Sequence, residues 1–71
     1  MRRAILEALR ARYEAEIAEA DATANIYLEN SVGIGEHPQH IDEVNKQIEK
    51  IATAREKQEV LEQFEPEKAV L

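Results

Sequence analysis

His37 and His40 stand three residues apart, with Glu36, Asp42 and Glu43 beside them. Imidazole and carboxylate together make a ligand set suited to zinc or nickel. Such a site also needs a third strong ligand at a fixed spacing, and none follows these two on a helical period. His37 precedes a proline and is expected to lie just before a helix and cap it, with His40 solvated nearby. The reading is no metal and no cofactor.

Gly33 and Gly35 raise phosphate binding as a second chemistry. A phosphate loop needs the full glycine-rich spacing after a strand, and a lysine. Here two glycines follow no strand, no Lys occurs between Thr23 and Lys46, and Glu36 repels an anion. Nucleophilic catalysis has no footing either. There is no Cys, Ser31 is the single serine, and neither of the two threonines has a base poised beside it. The many glutamates read as solvated faces, so an enzyme is not expected.

What must position these residues follows from the rest of the chain. It has 71 residues, 44% hydrophobic and 34% charged, which allows a single domain over 1–71. A chain this short buries only roughly 60% of its unfolded surface and usually needs disulfides, a metal or a partner. Cysteine is absent, so self-association or docking on a larger protein assembly is the expected source of missing core. The net charge is −6, whereas nucleic-acid binding rests on Lys and Arg neutralising phosphate; no nucleic-acid partner is expected. Only the end carrying Arg2, Arg3, Arg10 and Arg12 offers a basic stripe, and Glu7, Glu14 and Glu16 interrupt it for RNA or a membrane surface alike. No apolar run is long enough to span a membrane, and the start lacks the apolar segment of a signal peptide. The expectation is a soluble, intracellular chain.

Residues 2–30 contain no Pro or Gly and are dense in Ala, Glu, Leu and Arg, all strong helix formers. Leu6, Leu9, Tyr13, Ile17, Ala20, Ala24 and Leu28 form a stripe that repeats every eleven residues, from 6 to 17 to 28. That period predicts a nearly straight pairing and no long left-handed supercoil. Ala4, Ala8, Ala11, Ala15, Ala18 and Ala22 step by four and three on the opposite side. Two readings stand: alanine as the best helix former at exposed positions, or a second face that a helix approaches closely. Ile26 falls on that side as well.

A second helix is predicted over residues 38–65, with Pro38 at its first position and Asp42 and Glu43 in its early turns, where the helix dipole favours them. Ile41, Val44, Ile48, Ile51 and Ala52 make its inward face. Carried further, that stripe meets Arg55, Gln58 and Glu62, while Val60, Leu61 and Phe64 fall almost opposite. The expectation is that these three face a partner. Pro66 ends the helix and leaves a tail over 66–71.

Between the helices, residues 31–37 read as a turn: Gly33 or Gly35 supplies a left-handed helix end, and Val32 and Ile34 cover the open end of the core. The predicted fold is an all-α antiparallel hairpin, completed by oligomerisation into a bundle. Arginines at one helix N-terminus and Glu56, Glu59, Glu62 and Glu65 at the other's C-terminus each oppose the helix dipole alone. Side by side in a hairpin they offset each other.

The segment "IYLENSVGIGEHPQHIDEVNKQIEKIATAREKQEVLEQF", residues 26–64, resembles a group of small helical proteins of tailed bacteriophages, the T4-like phages of marine bacteria. The likeness rests on Tyr27, Val32, Gly33, Gly35, Glu36, His37 and Pro38. It implies a phage setting, in the host cytoplasm or in the virion, and a turn that serves as a recognition tip. The function expected is structural or assembly work through helix packing, using Ala8, Ala11, Ala15, Ala18, Ala22, Val60, Leu61 and Phe64. The alternative is a small adaptor that binds and modulates a host protein.

Overall fold

The computed structural model describes residues 1–29 and 37–65, and of His37 and Pro38 the backbone. Two helices account for nearly all of them: α1, Arg2–Glu29, and α2, His37–Glu62. The bounds fall within a few residues of those expected from sequence, a normal latitude for helix ends. The turn residues Gly33, Gly35 and Glu36 lie outside the described residues. His37 and Pro38 belong to the first turn of α2, so His37 stands inside the helix and not before it.

The helices pack along their length as an antiparallel hairpin. Arg2 Nη2 donates to the Phe64 carbonyl, and Arg10 Nη2 to Glu65 Oε1, which sets the start of α1 beside the end of α2. At the other end the Tyr27 and His40 rings lie 6.0 Å apart. The Arg2 contact satisfies a carbonyl two residues past the end of α2. The last turn tightens, with Gln63 N donating to Val60 O at 3.0 Å and Phe64 N to Leu61 O at 3.0 Å. These are the three-residue steps typical of helix ends, and Pro66 follows two residues on. The polar Thr23 and Asn25 stay helical by bonding back four residues, to Glu19 O at 2.9 Å and Asp21 O at 3.0 Å.

On α2 the seam differs in phase from the stripe the sequence predicts. Buried positions on α2 are His40, Gln47, Ala54 and Leu61, seven apart, with Val44, Ile51 and Gln58 half-buried between them. On α1, Leu6, Tyr13, Ala20 and Tyr27 are likewise seven apart, and all are buried or half-buried. A seven-residue repeat, close to 3.5 per turn, keeps one line of residues facing a neighbour in a pair of helices. Of the α1 stripe, Leu6, Leu9, Tyr13, Ile17, Ala20 and Ala24 are buried or half-buried as expected, and its last member is corrected: Leu28 is 64% exposed. So are the outer members of the α2 stripe, with Ile41 at 71% and Ile48 at 56%.

Stepping by seven from the Tyr27–His40 pair puts Ala20 level with Gln47, Tyr13 with Ala54, and Leu6 with Leu61. Two of these four layers set an alanine against a larger residue. Ala20 and Ala54 are 2% and 1% exposed, because only a small side chain leaves room for Gln47 or Tyr13 across a close helix pair. The core this produces is thin. Among the described residues the buried apolar ones are Ala20, Ala24, Ala54 and Leu61.

Candidate functional site

Three surfaces could meet another molecule. The first is the back of α1. Ala8, Ala11, Ala15, Ala18 and Ala22 are all exposed there, opposite the Leu6–Tyr27 seam, and Ile26 extends the line toward the turn. The residues expected to share a face do share one.

The second lies at the terminal end. Leu6, Leu9, Tyr13, Lys57, Val60 and Phe64 line an open groove of about 480 Å³, with Leu61 among its walls. Val60 and Phe64 are exposed, as a partner-facing role requires. Leu61 is not. At 7% exposure it belongs to the seam, and its assignment to an outward face is corrected. The physical reason is continuity: 40, 47, 54 and 61 form one unbroken line on α2, so the phase break inferred from Ile41 and Ile48 does not exist. Those two isoleucines lie beside the seam, whose inward positions at their level are the polar His40 and Gln47. Lys57 Nζ sits 5.6 Å from the centre of the Tyr13 ring and closes one side of the groove.

The third surface is a flank of the hairpin. Glu14, Ile17, Asp21, Ile51 and Arg55 border a groove of about 400 Å³, and Leu28, Ile41 and Ile48 continue that flank toward the turn at about 100° per residue. Its counterpart on the other side is charged, with Glu16, Glu19, Lys46, Lys50 and Lys57 around one depression. Glu43 holds Lys46 at 3.1 Å along the same helix. Apolar surface is thus concentrated on one flank in the turn-proximal half, and around Val60 and Phe64 at the terminal end.

For chemistry the surroundings offer little. The Tyr27–His40 region is bordered by Gln39, Asp42, Glu43 and Lys46. Among the described residues no group of three or more His, Cys, Asp or Glu could hold a metal ion. No helix among them is long and apolar enough to cross a membrane. No protein-family model, curated protein or solved structure matches the chain.

Hydrophobicity alone turns Ile41 and Ile48 inward and so hides this flank in the sequence. The signal that marks it is the double heptad line, 6–13–20–27 against 40–47–54–61, which leaves Ile41 and Ile48 outside.

Proposed function

We propose that the chain is a non-enzymatic assembly component, which works by packing its helices against protein and first of all against copies of itself. The observation that carries this reading is the imbalance between core and surface. Among the described residues only Ala20, Ala24, Ala54 and Leu61 form a buried apolar core, while Leu28, Ile41, Ile48 and Phe64 are more than half exposed. A small chain with no cysteine and so thin a core gains its missing burial from a partner. The resemblance of residues 26–64 to phage proteins supports a particle accessory as the setting, with the turn around Gly33–Pro38 as a contact tip.

Sedimentation of the purified chain tests the reading. A dimer or larger species at micromolar concentration is expected, and the chain should be found in many copies in purified phage particles. A folded monomer at every concentration, free in the infected cell, would instead establish the host-protein adaptor.

A further inference from the structure

We propose that a second copy of this chain covers the flank formed by Leu28, Ile41 and Ile48, in a two-fold four-helix bundle with both turns at the same end. The inference rests on the self-assembly reading and adds the surface and the symmetry.

Area supports a partner of this size. The chain exposes 5696 Å², whereas a compact folded chain of 8.1 kDa exposes about 4,500 Å². A molecule of 51 × 18 × 15 Å has the area to spare along its length.

Charge selects the occupant and its orientation. On α1 the flank reads, from the turn outward, Leu28, Asp21, Glu14, then Arg10 and Arg3. On α2 it reads Ile41, Ile48, Arg55, then Glu59 and Glu62. The Tyr27–His40 pairing sets the levels: Leu28 beside Ile41, Glu14 beside Arg55, Arg3 beside Glu62. At the levels of Glu14, Arg10 and Arg3 the signs are opposite, and Asp21 stands beside Ile48. Arg55 borders the same groove as Glu14 and Asp21, yet no ion pair joins it to either among the described residues.

A two-fold axis parallel to the helices lays α1 of one copy over α2 of the other at the same level. Leu28 then meets Ile41, each arginine meets a carboxylate, and Asp21 is the one charge set over an aliphatic side chain, Ile48. An axis across the helices lays α1 on α1 with the levels reversed, so that Leu28 faces Arg3 and Ile41 faces Glu62. That arrangement desolvates charge against aliphatic surface without a partner, which is costly. The pattern therefore specifies a second copy with its turn at the same end.

The full chain tests this directly. Sedimentation should show a dimer; Ile48→Asp should keep helix content at high concentration and raise the dimer Kd by about 100-fold or more, as loss of a central anchor does. Ala15→Asp, on the back of α1, should leave the Kd within about threefold. Since the chain has no cysteine, single-thiol variants report the symmetry even if Ile48→Asp unfolds. Leu28→Cys mixed with Ile41→Cys should yield a mixed crosslinked dimer with a short bismaleimide, and Leu28→Cys mixed with Arg3→Cys should not. Crosslinking of the second mixture overturns the same-end symmetry. A dimer broken by Ala15→Asp but indifferent to Ile48→Asp overturns the flank while the assembly reading stands. A wild-type monomer at all concentrations overturns both.

Discussion

At the residue scale the hairpin depends on where small side chains sit, and alanine has two unlike roles in one sequence. Ala20 and Ala54 face a large residue across the seam and are almost wholly buried, while Ala15 lies on the open back of α1. Ala54→Leu is expected to destabilise by about 1–3 kcal/mol, since an enlarged side chain in a close-packed contact forces strain. Ala15→Leu should change the monomer by no more than about 0.5 kcal/mol. Urea unfolding of the two variants checks the contrast, and equal losses would dissolve the distinction between the faces. Gln47 is a buried polar residue level with Ala20. A polar residue at an inward heptad position sets register at a cost in stability. Gln47→Leu should therefore raise the unfolding free energy by about 1 kcal/mol and broaden the distribution of assembled species. The first would be seen in urea melts, the second in native mass spectra.

At the element scale the ends of the helices stabilise each other. Arg2 reaches the Phe64 carbonyl and Arg10 reaches Glu65, a carboxylate largely sheltered from solvent. Arg3 instead pairs with Glu7 on its own helix at 3.3 Å, fully in water. Exposed pairs contribute at most about 1 kcal/mol and are screened by salt. Arg10→Ala should cost about 1 kcal/mol at low ionic strength, and less in molar salt, whereas Arg3→Ala should be close to neutral in both. Thermal melts at two salt concentrations decide the matter; an equal effect of the two substitutions would mean that the bridge between helices contributes nothing special.

At the scale of the whole molecule, folding and association are one process. A core of three alanines and a leucine among the described residues stabilises an isolated hairpin weakly, and burial of a flank in a dimer supplies what is missing. The melting temperature should then rise with protein concentration, by about 5 °C for each tenfold increase in a coupled dimer of this size. Circular dichroism melts over a hundredfold range of concentration test it. A melting temperature independent of concentration would mean that the hairpin is stable alone.

Much of this architecture is local and so was legible in the chain itself. Helix propensity and the absence of Pro and Gly from 2–29 define α1, and Pro38 and Pro66 bracket α2 within a few residues. Charge placement at the ends announced the antiparallel pairing that Arg2 and Arg10 complete. Which side of each helix turns inward is a different kind of fact. On α2 hydrophobicity alone favours Ile41 and Ile48, and the structure buries His40 and Gln47 in their place. A helix has one lowest-energy rotation only with respect to its neighbour, and that rotation depends on fitting large side chains against small ones across the pair. Tyr27 beside His40 and Ala20 level with Gln47 are properties of two helices together. Composition and propensity therefore decided that there are two helices and how they run. Only their packing decided that Leu61 lies inside, and that Leu28, Ile41 and Ile48 remain outside as surface for another molecule.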